Sequence, residues 1–368
     1  ILATVFSPDL TSRARAFGAI SAAGGIGAAA GPLVGGIITT AISWRAAFVV
    51  QALVVGIVII QSRKIVDPGV QGPKPRLDIV GTILSAAGLF FVVVGILQAS
   101  TYGWFRASQD FVIGNTVVIP QGGISPVWVF VLIGLVLLAW FFWHIRSMER
   151  AGKEPLLSTR LFKNRTSNLG LVTQNIQWLV LLGLSFVVSV YLQTVRGYNA
   201  IETGLILTPA TIGILLSSMA AGRLARRRSQ ATLIRAGFVV TVGGVFLLLL
   251  LVRETSNVFT FVPGLFLVGV GVGVMLTSSV NVVQSSFPEE DQGEISGLSR
   301  SVSNLGSSLG VAIAGTVIVS SLVTGNLGYA LALVVLAAFA VIGLVAAILL
   351  PTGPVPQAPD QPDLQLPE

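Results

Sequence analysis

The residues of this chain whose types could do chemistry are few, and most are polar without being charged. Gln174, Asn175, Gln177 and Trp178 stand together inside one apolar stretch, and Asn281 and Gln284 stand inside another. Amides in such surroundings either bind a solute or hydrogen-bond a neighbouring helix, and both uses stay open on residue type alone. Trp178 offers a ring face for aromatic or cationic compounds, or for lipid. Gln51 and Asn304 are weaker candidates of the same kind. No Asp or Glu lies in the middle of an apolar stretch, so these residues show no proton relay. Asp78 and Glu202 fall at stretch ends and are expected to be interfacial, as is His144 beside Trp143. With one His and no Cys, clustered metal sites, thiolate catalysis and disulfides are excluded. Gly-x-Ser-x-Gly, phosphate-loop and His-Glu-x-x-His patterns are all read as absent, so the chain reads as no enzyme, and neither a metal nor a cofactor is expected.

The elements that must position these residues follow from composition. The chain has 368 residues, 53% apolar and 10% charged, against roughly 25% charged in soluble domains. With a mean hydropathy of +0.87, this is a membrane protein that crosses the bilayer repeatedly. Its formal charge of +7 reads as inward-facing loop charge on a membrane protein, and no nucleic-acid partner is expected.

A spanning helix needs about 20 mostly apolar residues. Ten stretches can serve: Ala16–Ile42, Ala46–Ser62, Ile79–Ala99, Val127–Ile145, Thr166–Val195, Thr203–Gly222, Ala236–Val252, Phe259–Phe287, Ser301–Ser320 and Tyr329–Leu350. All are read as helices, because an isolated strand in lipid leaves its backbone unpaired. If the connections alternate sides, every Lys and Arg but Arg45, Arg106, Arg196 and Arg253 falls on one side. The positive-inside rule makes that side cytoplasmic, with both ends of the chain there. Residues 100–126 read as an outer loop with Tyr102 and Trp104 at the interface, and 351–368 as a disordered cytoplasmic tail. The acidic run Glu289, Glu290, Asp291 and Glu294 reads as solvated, with pairing to the arginines at 223–228 as the alternative.

Two glycine patterns stand out. A single offset superposes Gly18, Gly27, Gly31, Gly35 and Gly36 of the first stretch on Gly297, Gly306, Gly310, Ala314 and Gly315 of the ninth. Duplicated halves are common in transporters. The equivalence implies that about four helices precede Ile1 in a longer protein. The domain expectation is therefore a two-helix remnant of an N-terminal half over 1–65, two extra central helices with an outer loop over 66–150, and a six-helix C-terminal half over 151–350. Gly27-x3-Gly31-Pro32-x2-Gly35-Gly36 also places glycines along one face around a kinking proline, suited to a dry, bendable seam. Gly222-Arg223-Leu224-Ala225-Arg226-Arg227-Arg228 is a charged loop that could latch a gate by pairing with carboxylates or helix C-terminal carbonyls.

With these residues in view, the chain resembles a major facilitator superfamily transporter of the fourteen-helix drug:proton antiporter branch (EmrB/QacA type), N-terminally truncated. The stretch from Gly27 to Gly36 resembles that superfamily's antiporter motif, Ser43-Trp44-Arg45-Ala46-Ala47-Phe48 its entry to the sixth helix, and Gly222-Arg223-Leu224-Ala225-Arg226-Arg227 the degenerate copy of its cytoplasmic-loop motif. The resemblance implies an all-α helical bundle with about ten of fourteen helices present, in the plasma (inner) membrane. It implies alternating-access efflux of drugs or other amphipathic small molecules, driven by protons. It also makes Gln174, Asn175, Gln177, Trp178 and Asn281 the candidate lining of the substrate cavity, and Gly222, Arg223, Arg226 and Arg227 the cytoplasmic gate loop. The family's first four helices, with their membrane-embedded acid, have no counterpart here. A truncated, non-transporting fragment or regulator, or an exporter of one metabolite, are the competing readings.

Overall fold

The computed structural model describes residues 31, 34–63, 77–225, 227–252, 255–288, 291–319 and 327–351. Among these, nine helices are long and apolar enough to cross a membrane. They are α1 (Trp44–Ser62), α2 (Ile79–Leu97), α3 (Pro126–Arg150), α4 (Arg165–Val190), α5 (Ala200–Ala225), α6 (Gln230–Leu251), α7 (Phe261–Gln284), α8 (Gln292–Val319) and α9 (Leu327–Ile348). They coincide with the second to tenth expected stretches. The first stretch lies for the most part outside the described residues, which show helix over 34–41. Five helices begin earlier than a charge-free reading allows: α1 includes Arg45, α4 Arg165, α5 Glu202, α6 Arg235, and α8 both Glu294 and Arg300. A helix outlasts the hydrocarbon wherever its end is wet, so charge marks the interface and not the terminus.

Side chains written into the sequence start the helices. Asn164 accepts from the N–H groups of Thr166 and Ser167 at the head of α4. Ser229 does the same for Thr232 at the head of α6. Asn199 and Glu202 bond reciprocally to each other's backbone N–H, a capping box that starts α5. Ser125 precedes Pro126, whose missing N–H costs nothing in the first turn of α3.

Helices α4 to α9 form one packed bundle. Helix α4 packs chiefly on α7, α8 and α9, and α7 chiefly on α4, α5 and α6, with a lesser contact to α8. The pattern maps onto itself when α4–α5–α6 is exchanged with α7–α8–α9, as expected of a threefold-helix unit repeated within the bundle. Glycines make the two matching seams. On α8, a Cβ at Gly306 or Gly310 would strike the carbonyls of Asn175 and Leu179 on α4; on α7, one at Gly269 would strike Ala210 on α5. Backbones this close gain dispersion contact that lipid cannot supply.

Helices α2 and α3 pair with each other, Gly88 and Gly134 meeting across the seam, and the pair touches the bundle through α8. None of α1's residues is buried among the described residues. The connection between α2 and α3 departs from a plain loop. After one helical turn, Ala99–Tyr102, strands β1 (Phe111–Ile113) and β2 (Thr116–Ile119) pair antiparallel around Gly114-Asn115, where Gly114 has φ +62°. A Gly-Asn pair between β-branched runs is a hairpin signal, and the left-handed backbone it needs is cheap for Gly. Phe111 packs edge-on to Tyr102 and Phe130, fastening the hairpin to the end of α3.

Candidate functional site

Helix α4 carries the polar cluster, and its pitch divides the cluster between two faces. Gln174 and Gln177 are 3% and 1% exposed. Gln174 Nε2 donates to Ser303 Oγ at 2.8 Å, and Ser299 Oγ donates to Gln174 Oε1 at 3.0 Å, both across to α8. Gln177 Oε1 accepts from Ser279 Oγ of α7 at 3.1 Å. These amides sit inside the bundle, bonded to two neighbouring helices. The other face carries Val172, Asn175 and Trp178, three residues apart and therefore in one stripe. Val172 is exposed, and Asn175 and Trp178 are half-buried. Asn175 Nδ2 donates to the Val302 carbonyl at 2.9 Å, which leaves its oxygen for another partner. Asn281, on α7, is exposed, as is Asn304 on α8.

The glycine helix is described only in part: Gly27 and Pro32 lie outside the described residues. A Cβ at Gly31 or Gly35 would meet open space, whereas one at Gly36 would lie 2.6 Å from the Ala200 carbonyl at the head of α5. The 34–41 segment thus approaches the bundle at the start of α5 through its one buried glycine.

The charged loop after α5 turns at Leu224, whose carbonyl accepts from the N–H groups of Arg227 and Arg228 at 2.9 Å. Arg223, Arg227, Arg228 and Gly222 are exposed, and Arg226 lies outside the described residues. The acidic run is not simply solvated, and its described members meet the linker before α4, not these arginines. Arg160 Nη2 reaches both oxygens of Asp291 at 2.6 and 2.7 Å, and Ser158 N–H donates to Glu294 Oε2 at 2.7 Å. Glu289 and Glu290 lie outside the described residues. A helix-end latch of the kind expected of the loop is made by Arg235 instead. Its guanidinium donates to the carbonyls of Ala347, Ile348 and Leu350 at 2.9, 3.0 and 2.8 Å, capping α9 where the helix dipole favours a cation.

Asp78 and His144 also have more structure than an interfacial reading implies. Asp78, 8% exposed, accepts from Gly81 N–H at 2.8 Å, from His144 Nε2 at 2.9 Å and from Leu156 N–H at 3.1 Å. Burial pushes its carboxyl up, but these donors outweigh it and hold the group below the usual aspartate value. One carboxylate therefore ties α2, α3 and the linker together. Sequence reasoning missed this because the partners are remote in sequence; the N-capping position of Asp78 was its one legible signal.

Gly306-Ser307-Ser308-Leu309-Gly310 has the spacing of a hydrolase nucleophile turn, contrary to a chain free of enzyme patterns. It runs inside α8, where Ser308 Oγ donates to the Asn304 carbonyl at 3.1 Å, and lacks the strand-to-helix turn that makes such a Ser nucleophilic. Among the described residues no group of three His, Cys, Asp or Glu could hold a metal.

The sequence profile of the Major Facilitator Superfamily matches residues 73–311, from before α2 into α8. The chain belongs to the Major Facilitator Superfamily. The relatives it resembles include exporters and resistance proteins by name. It is 26% identical to the "Probable actinorhodin transporter" of Streptomyces coelicolor, with 86% of the chain and 52% of the relative covered. It is 28% identical to the "Puromycin resistance protein pur8" of Streptomyces alboniger (83% and 57%) and 26% identical to the "Multidrug resistance protein Stp" of Mycobacterium tuberculosis (84% and 53%). The chain spans about half the length of these relatives. A multi-pass membrane transporter family, and not an enzyme family, is thus where this facilitator sequence falls.

Proposed function

We propose that this chain is part of a drug:proton antiporter of the fourteen-helix branch, in the plasma membrane, which exports amphipathic compounds by alternating access. The observation that carries the reading is the split of the α4 cluster. Asn175 and Trp178, with Asn281 on α7, stay accessible, while Gln174 and Gln177 hold the helix that bears them. An apolar wall with a ring and a few amides suits solutes that are mostly greasy and variably polar. The relatives' names support a drug or antibiotic as cargo, and the actinorhodin transporter supports a single natural product as the second reading. The six-helix bundle serves as one of the two rocking halves, and Gly36 against Ala200 serves as part of the seam between them. Proton coupling rests on the superfamily branch.

The test is efflux of a fluorescent cationic dye from cells expressing the full-length gene product. Efflux collapses when a protonophore is added, and Trp178→Ala changes the relative rates among dyes while Val239→Ala on the outer face of α6 does not. Efflux untouched by the protonophore refutes proton coupling. A uniform loss with both variants refutes the α4 substrate face.

A further inference from the structure

We propose that the foot of α3 is a binding site for the phosphodiester headgroup of an anionic phospholipid. A cavity of about 510 Å³ lies there, lined by Phe142, Arg146, Glu149, Arg150, Thr159, Phe162 and Lys163. Its walls are the last turns of α3 and the 3-10 turn Thr159–Lys163 that leads into α4. Phe142, Arg146, Glu149 and Arg150 recur at helical spacing and so share one face of α3. Phe142 and Phe162 close the apolar side, edge to face at 5.2 Å.

Three cations and one carboxylate meet in this space, and the carboxylate is already engaged. Glu149 accepts from Thr159 N–H at 2.7 Å, from Thr159 Oγ1 at 2.5 Å and from Ser158 Oγ at 3.2 Å. Neither Arg146 nor Arg150 forms a side-chain hydrogen bond or ion pair among the described residues, and Arg146, Arg150 and Lys163 are all exposed. The site is therefore a net-positive hollow, and each of its guanidiniums offers the planar fork of donors that suits a phosphate.

Depth in the membrane selects a lipid. The apolar run of α3 ends at Ile145, and Arg146 is the first charge after it. Trp140 and Trp143, 54% and 67% exposed, mark the interface within the two turns before Arg146. The cations thus stand at headgroup level while Phe142 and Phe162 reach toward the acyl region, and basic pockets between helices at this depth suit anionic headgroups. The bound headgroup bridges α3 and the turn into α4, the joint between the α2–α3 pair and the six-helix bundle. The inference concerns binding alone and stands apart from the efflux reading.

The test is native mass spectrometry of the purified protein released from micelles holding equal phosphatidylglycerol and phosphatidylcholine. The parent retains phosphatidylglycerol in preference, and the double variant Arg146→Gln/Arg150→Gln loses that preference. Arg146→Lys/Arg150→Lys keeps part of it, which guards against a double variant that fails to fold; Lys163→Gln alone weakens it. Inorganic phosphate is the second probe. If it does not displace the lipid, the acyl chains contribute and the occupant is a phospholipid; if it displaces the lipid and protects the protein from melting, the same hollow takes free phosphate. A parent with no preference for phosphatidylglycerol, or a glutamine variant with an undiminished one, overturns the proposal.

Discussion

Replacing Gln174 by Leu tests whether the buried amides of α4 are structural ties or solute contacts. The change leaves an apolar side chain one bond shorter and removes two interhelical hydrogen bonds, to Ser303 at 2.8 Å and from Ser299 at 3.0 Å. Bonds of this kind inside a membrane bundle are worth about 0.6 kcal/mol each, with a maximum near 1.7. Losing both costs about 1–2 kcal/mol, because Ser299 Oγ is also left buried without its acceptor. Ser303→Ala costs a similar amount, since it removes both the bond from Gln174 and the Ser303 Oγ donation to the Ser299 carbonyl at 2.9 Å and leaves Gln174 Nε2 buried without its acceptor. The two residues share a bond, so the double variant is less destabilised than the singles summed, by about 0.6–1.7 kcal/mol. The assay is reversible unfolding of the purified protein in mixed micelles, followed by tryptophan fluorescence for the four members of the cycle. Trp178 stands one turn from Gln174 and reports on α4 itself. A cycle with no coupling refutes the hydrogen-bond tie. A Gln174→Leu protein of parental stability with altered dye selectivity refutes the inward placement and returns Gln174 to the substrate face.

Three further outcomes follow from the same coordinates. Asp78 has a folded-state pKa below its ordinary 3.8, so its contribution is complete above that value and fades as pH falls through the lower, folded one; Asp78→Asn therefore lowers the melting temperature at pH 7, and the gap to the parent closes in a melting series carried below pH 4. Gly310→Leu drives a side chain into the Leu179 carbonyl and separates α8 from α4, a cost of about 1–3 kcal/mol, while Gly293→Leu, in open space, is tolerated; detergent melting of the two variants compares them directly. For orientation, the natural absence of Cys makes single-Cys labelling clean. Ser108→Cys, exposed beside the hairpin, reacts with an impermeant maleimide on intact cells and Lys153→Cys reacts only after lysis, and the opposite pattern reverses the topology.

Much of the architecture was legible in the residue order because lipid simplifies the problem. A backbone in hydrocarbon has to satisfy itself, so an apolar run of sufficient length is a helix, and Ala200–Ala225 or Leu327–Ile348 could be read without any knowledge of neighbours. Caps such as Asn164 and the Asn199–Glu202 pair are local and equally legible. The hairpin at 111–119 was within reach through its Gly-Asn turn and was passed over as loop. Which face of α4 is the candidate site was not legible, for a geometric reason. Gln174, Asn175, Gln177 and Trp178 are neighbours in sequence, yet a helix turns about 100° per residue, so Gln174 and Gln177 are buried while Asn175 and Trp178 lie on the half-buried flank. Which side faces the bundle depends on where α7 and α8 lie, and on the serines 279, 299 and 303 they bring.

The same division holds for the charges. By itself, the sequence determined that this chain is a stack of membrane-crossing helices with its charges kept out of the apolar runs, because the cost of exposing backbone or charge to lipid is paid residue by residue. Only the tertiary structure decided that Arg160 takes Asp291, that Arg235 closes α9 and that Asp78 gathers two helices and a linker. Partners separated by tens of residues or more are chosen by packing, and the packing of close-set glycine seams is a property of the assembled bundle.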